Sequence, residues 1–192
     1  MRAFFDIDTQ IDFMFAAGAL YGPGAEQVLR PVAALNRYAA ENRIALISTV
    51  CAHPEQAREF QVWPPHCVIG TVGQQKPAAT LLEKRYTLPN ASQPIVAGDA
   101  QQIILEKDDL DMFSNPNLEP LLAAIAADEC FVYGVSTEFC VKCAVMGLLS
   151  RRRTVSLVTD AIAPFSPEAG NKTIEEFRRA GGHTVSLAEV IR

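Results

Sequence analysis

The sequence predicts an α/β protein: a three-layer arrangement whose mostly parallel sheet of about six strands carries helices on both faces. Three observations lead there. Short, β-prone apolar runs alternate with longer segments of helical period, at the spacing of βαβ units. Several of those runs are apolar almost throughout, as strands covered on both faces must be. Three of the run ends carry Asp8, Lys107 and Cys140, which right-handed crossovers bring to one edge of such a sheet.

Taken in order, Ala3 to Ile7 reads as the first strand, ending at Asp8 in an acid-rich loop. Gly18, Gly22, Pro23 and Gly24 mark a turn region. A helix follows from about Ala25 to Asn42 on Val28, Val32, Leu35 and Tyr38, with Pro31 delaying its start or kinking it. Ile44 to Val50 is a buried strand. Residues 51–101 carry scattered prolines and glycines without helical period, which predicts a long functional loop with edge strands or a hairpin at Lys84–Thr87 and Gln93–Val96. Gln102–Glu106 is a strand ending at Lys107, and a helix runs from Asn115-Pro116 to about Ala127. Glu129–Val135 is a strand and Glu138–Arg151 a helix. Thr154–Thr159 is a strand, Pro167–Ala180 a helix closed by Gly181-Gly182, and His183–Leu187 a last strand.

Composition narrows the classes. A chain of 192 residues, 49% apolar and 20% charged, suits one globular domain over residues 1–192. A net charge of -5 gives no support for a nucleic-acid surface, and Arg151-Arg152-Arg153 reads as a cation cluster at a helix C-terminus. No apolar run reaches membrane-spanning length, so no membrane partner is expected. The opening MRAFFDIDTQIDF meets acids at once and is not expected to be a signal peptide. Five cysteines without framework spacing predict free thiols in a reducing, cytoplasmic setting.

The chemistry centres on Val132-Tyr-Gly-Val-Ser-Thr-Glu-Phe-Cys140. An apolar strand end is followed by Gly134, which permits a sharp turn, and by the N-cap types Ser136 and Thr137. Cys140 then falls in the first turn of a helix, where the dipole and free N–H groups favour a thiolate. With Lys107 favouring the anion and Asp8 exchanging the proton, these residues make a nucleophilic site. The N–H groups of Ser136 and Cys140 could hold an oxyanion, which suits acyl transfer through a thioester. Each residue alone has a plainer reading: a buried Cys is a small hydrophobe, a Lys after a strand is solvated, and an Asp caps a turn. Cys140-Val-Lys-Cys143 also has the C-x-x-C spacing of a thiol-redox site.

These residues carry a resemblance. FFDIDTQIDF, LEKDDLDMFSNPNL and GVSTEFCV resemble, in order, the acidic loop, the lysine segment and the nucleophile turn of the isochorismatase-like cysteine hydrolase superfamily. The resemblance implies Asp8, Lys107 and Cys140 as catalytic residues, a cis peptide before Ser136, and a Rossmann-like sheet of about six strands. Trp63-Pro-Pro-His66-Cys67 resembles a segment of nicotinamidases, and Phe13 and Trp63 match aromatics that hold a pyridine ring there; Phe113 falls near a third. As core residues, Phe13 and Trp63 would instead cap the sheet.

Nicotinamidases also carry a metal, bound by a D-x-H pair, a further His or Glu, and the His of W-P-x-H-C. Here the matching positions are Cys51, His53, Glu59 and His66. That set suits zinc, and the loss of the aspartate equally suits a site without metal. The implied activity is hydrolysis of a small carboxamide, nicotinamide first, to carboxylate and ammonia. An N-carbamoyl or ureido substrate is the alternative, and a non-catalytic binding protein on the same fold the reading from another class. The partner expected is the small amide, and the family's habit of assembly admits a homo-oligomer.

Overall fold

The computed structural model describes residues 1–192. Its seven strands are β1 (Arg2–Ile7), β2 (Ala45–Cys51), β3 (Arg85–Leu88), β4 (Gln102–Lys107), β5 (Glu129–Val135), β6 (Thr154–Ala163) and β7 (His183–Val185). They form one sheet in the order β3-β4-β2-β1-β5-β6-β7, with every pairing parallel. β1 lies at its centre, with Phe5 paired to Ile47 on one side and Val132 on the other. The apolar runs are buried as a doubly covered sheet requires: Phe4, Phe5, Ile47, Leu105, Val132 and Leu157 are all almost inaccessible.

The helices are α1 (Ile11–Met14), α2 (Leu29–Glu41), α3 (Leu118–Ala124), α4 (Lys142–Ser150), α5 (Pro167–Arg179) and α6 (Leu187–Val190). The chain passes from β1 through α2 to β2 on one side, and from β4 through α3 to β5 on the other. Right-handed crossovers therefore place α2 on one face and α3, α4 and α5 on the opposite one. The direction of winding reverses between β1 and β5, and the crevice beyond the strand ends at that reversal is where open α/β sheets hold ligands. No helix is long and apolar enough to cross a membrane.

Several expectations are corrected. The sheet has seven strands, the seventh being β3, the edge strand expected near Lys84–Thr87, which pairs in parallel with β4 and belongs to no hairpin. Gln93–Val96 forms no strand: Pro94 has no N–H to donate, and the Gln93 N–H goes to the Asn117 side chain at 3.0 Å. Asn117 Nδ2 also donates to the carbonyls of Pro89 and Ala91, and Asn115 Nδ2 to that of Glu106. These side chains staple the 88–93 segment, so α3 begins only at Leu118. It ends at Ala124, because Ala126 turns to φ 46°. The acid-rich loop contains α1, and the helix expected from Ala25 opens as a 3-10 turn before α2 places Pro31 in its first turn. The helix after Ser136 opens as a π turn, Thr137–Val141, before α4. β6 runs four residues further than expected, to Ala163.

Gly134 shows why the end of β5 needs glycine. Its φ is 119°, and a Cβ there would stand 2.1 Å from the Ile7 carbonyl oxygen of β1. Gly134→Ala is expected to destabilise the protein by roughly 3–5 kcal/mol, measured by denaturant unfolding, because neither the dihedral nor the backbone contact can relax cheaply. An unfolding midpoint unchanged from wild type would show that β1 and β5 separate there more freely than the packing implies.

Candidate active site

The strand ends deliver the site. Asp8 follows β1 directly and takes a left-handed conformation, φ 46°. Its N–H donates to both the carbonyl and the hydroxyl oxygen of Thr49, at 3.2 and 3.1 Å. The Thr49 hydroxyl donates back to Asp8 Oδ1 at 2.6 Å, which fixes the carboxylate. Asp8 Oδ2 then meets Lys107 Nζ at 2.8 Å, and neither side chain has any exposure.

Lys107 is the last residue of β4. Besides Asp8 it donates to the Asp109 carbonyl at 2.8 Å, and its Nζ lies 3.2 Å from Cys51 Sγ and 3.7 Å from Cys140 Sγ. Cys140 sits in the π turn after β5, past a cis peptide between Val135 and Ser136. Asp8, Lys107 and Cys140 thus converge, as their positions in the sequence predict.

Charge and burial compete here. Burial pushes the Asp8 carboxyl up, but the Lys107 charge and hydrogen bonds from Cys140, Lys107 and Thr49 more than offset it, so its pKa falls below the ordinary value. Burial pushes Lys107 down, and the Asp8, Cys140 and Cys51 charges hold it well above the ordinary lysine value. The depressed carboxyl adds stability that is fully present above the unfolded-state pKa near 4 and lost as pH falls through the lower folded value. The elevated lysine adds stability that is complete below about pH 10 and lost above it. The stability difference between wild type and Asp8→Asn is therefore expected to shrink as pH falls from roughly 5 to below about 4, in urea melts across that range. A difference that grows with acid would mean Asp8 is protonated at rest.

The two thiols share their environment unequally. The Cys140 thiol donates toward the Cys51 sulfur; against burial and the Asp8 charge, and aided by Lys107, this bond brings Cys51 down to about 7. The same bond, with burial, pushes Cys140 well above the ordinary thiol value, although Lys107 draws it the other way. Placement at a helix start predicted Cys140 as the more ionised thiol. Within this pair the Cys140 thiol is shifted up and the Cys51 thiol down, with Lys107 Nζ 3.2 Å from the Cys51 sulfur and 3.7 Å from that of Cys140.

Beside this cluster lies a second one. His53 Nε2 and His66 Nε2 face the two oxygens of Glu59, at 3.5 and 3.7 Å. His66 Nδ1 is tied to the Pro64 carbonyl at 2.8 Å, which leaves its Nε2 lone pair directed into the cluster. Both ring nitrogens of His53 are buried without a hydrogen-bond partner. Two imidazoles and a carboxylate, with ligand atoms within 4.8 Å of one another, fit a divalent metal such as zinc. Cys51, the expected fourth ligand, lies outside that group: its sulfur groups with Asp8 and Cys140. The reason lies in the register, since Cys51 pairs with Lys107 across β2 and β4 and shares its side of the sheet.

A cavity opens between the clusters, lined by Phe13, Trp63, Glu59, His66, Cys51, Ser136 and Cys140 among the expected residues. Phe113 does not line it. The 3-10 turn Met112–Ser114 carries its ring against Gly147 and under the Arg151 guanidinium, 3.4 Å from the ring centre. The third wall is formed instead by Phe139 and Phe165, which pack with Trp63 at centroid distances of 5.4 and 6.4 Å. Leu20, Leu110 and Val135 complete it. Phe139 precedes Cys140 in the motif, and Phe165 follows the carboxyl end of β6, the same positional signal that marks Asp8. Glu138 holds this wall: its carboxylate accepts from the backbone N–H groups of Phe165 and Ser166, at 3.2 and 3.0 Å.

With this fold and this site, the chain belongs to the isochorismatase domain family, whose pattern matches residues 2–189. The family is one of hydrolases, and nicotinamidases are among the proteins to which this chain is similar. It is 21% identical to the nicotinamidase of Saccharomyces cerevisiae, over 98% of this chain and all of that one. Among solved structures it is similar to pyrazinamidase of Pyrococcus horikoshii in complex with zinc, at 25% identity and a TM-score of 0.83 over 96% and 98% of the two chains. It is also similar to nicotinamidase of Bacillus subtilis, at 23% identity and TM-score 0.84 over 96% and 99%. N-carbamoylsarcosine amidase of Thermoplasma acidophilum shares the fold at 20% identity and TM-score 0.77, over 97% of each chain.

Proposed function

We propose that the protein hydrolyses a small, uncharged, planar carboxamide to a carboxylate and ammonia, with nicotinamide as the first substrate to test. The observation that carries this reading is the cavity: the Asp8–Lys107–Cys140 cluster opens into a space walled by Phe13, Trp63, Phe139 and Phe165, with no Arg or Lys among its lining residues. Aromatic faces suit a flat heteroaromatic ring. Apart from the metal site, no Arg or Lys lines the wall to pair with the carboxylate that an N-carbamoyl amino acid would bury, and an unpaired buried charge is costly.

In this reading Asp8 takes the proton of Cys140, and the thiolate attacks the amide carbon. The N–H groups of Ser136 and Cys140 receive the developing oxyanion. Lys107 keeps the charge of the site balanced as the proton moves. Asp8 returns the proton to the leaving ammonia and then activates the water that opens the thioester. His53, Glu59 and His66 would hold a divalent ion, which supplies a Lewis acid for the ring nitrogen or a bound water.

Ammonia release from nicotinamide by purified protein tests this directly. Turnover that a chelator abolishes and zinc, iron or manganese restores is expected, together with loss of bound metal in His53→Ala by elemental analysis. Turnover indifferent to chelation would keep the amidase and remove the metal. No turnover with any metal, but activity on a neutral ureido compound, would replace the nicotinamide reading.

A further inference from the structure

One residue of the site has no part in the proposed reaction. Cys51 ends β2, and its backbone is clamped: its N–H donates to Gln10 Oε1 at 2.7 Å, and its carbonyl accepts from Gln10 Nε2 at 2.8 Å. The clamp fixes the backbone from which its sulfur projects. The sulfur lies 3.7 Å from Asp8 Oδ2 and 3.2 Å from Lys107 Nζ, the ammonium that also contacts Cys140 Sγ. The two sulfurs and an Asp8 oxygen all lie within 4.8 Å of one another. Both cysteines line the cavity, so a small solute that enters it reaches both.

We infer that Cys51 and Cys140 are an oxidisable pair that a small hydroperoxide converts to an intramolecular disulfide, masking the nucleophile reversibly. The Cys140 sulfur attacks the terminal peroxide oxygen; the O–O bond breaks, and water (or an alcohol) leaves with the thiol proton. Cys140 is then a sulfenic acid. The Cys51 sulfur attacks the Cys140 sulfur, the S–O bond breaks, and a second water leaves with the remaining thiol proton. Two thiols have lost two electrons, and hydrogen peroxide has become two waters. The sulfurs must close to about 2.05 Å. The Asp8–Lys107 ion pair keeps its charges throughout, since the disulfide is neutral.

The remaining thiols are less suited. Cys67 and Cys130 are buried and do not line the cavity. Cys143 has the C-x-x-C spacing to Cys140 but lies one turn on in α4, outside the cavity wall. The pairing also protects the nucleophile: a sulfenic acid captured by Cys51 cannot proceed to the sulfinic state, which thiols do not reverse.

The test is a disulfide map of the reduced, full-length protein after titration with hydrogen peroxide. The expected result is the loss of two of the five thiols, a mass decrease of about 2 Da, and a peptide linking Cys51 to Cys140, all reversed by dithiothreitol. Cys51→Ser is expected to gain about 32 Da at Cys140 instead, without reversal by thiols. A wild-type protein that accumulates sulfinic Cys140 with no cross-link, or that links Cys140 to Cys143, would overturn the inference. Neither readout uses a substrate, so the outcome is independent of the amide that the enzyme cleaves.

Discussion

Cys140→Ala is expected to lower amide hydrolysis by about 10⁴-fold or more while leaving the unfolding midpoint close to that of wild type. The energetic side of this is small. Removing one sulfur from the rim of a cavity deletes little buried volume, and the neighbouring polar groups keep their partners, since Lys107 still meets Asp8 and the Asp109 carbonyl. The chemical side is large, because no other group can form the thioester. Cys51 is the only other thiol at the cavity, and its clamped backbone fixes its approach. Steady-state ammonia release, with circular dichroism to check the fold, decides the matter. Turnover within tenfold of wild type would rule out Cys140 as the nucleophile.

Lys107→Met is expected to damage both function and fold. It leaves the Asp8 carboxylate in a site without exposure, with only the Thr49 hydroxyl and the thiols beside it. Breaking a buried ion pair by removing one partner costs roughly 3–5 kcal/mol, because the other charge stays buried and unpaired. The double variant Asp8→Asn with Lys107→Met removes both charges together. It should recover most of that stability and none of the activity, since the base and the balancing cation are both gone. Urea unfolding of the wild type and three variants gives the coupling energy. Additive losses, with no recovery in the double variant, would mean that the two charges are screened from each other despite their 2.8 Å separation.

The parts of the molecule that the sequence made legible are those set by short-range pattern. β1, β2, β4 and β5 read as apolar runs with clear ends, and the ends located Asp8, Lys107 and Cys140 without any knowledge of the sheet order. What escaped depended on side chains reaching across the chain. The segment 88–93 has no ladder because Asn115 and Asn117 replace it, and nothing in a local window reveals that pairing. Phe113 matched by position, but a 3-10 turn aims it at Arg151. Cys51 matched a metal-ligand position, but the register of β2 on β4 sets it beside Lys107, and register is a property of two strands at once. Phe165 carries no local signal, because β6 continues to Ala163, past the polar Thr159-Asp160 pair at which its apolar run breaks.

The Glu138 carboxylate grips peptide nitrogens, at residues 165 and 166, and not the side chain between them. The nucleophile turn and the far wall of the cavity are thereby latched together through atoms that every residue except proline possesses. Position 165 is thus a dial: its side chain can be swapped for a larger or smaller one while the latch, and with it the placement of Cys140, stays closed. The width of the cavity can thus change at that one position without moving Cys140.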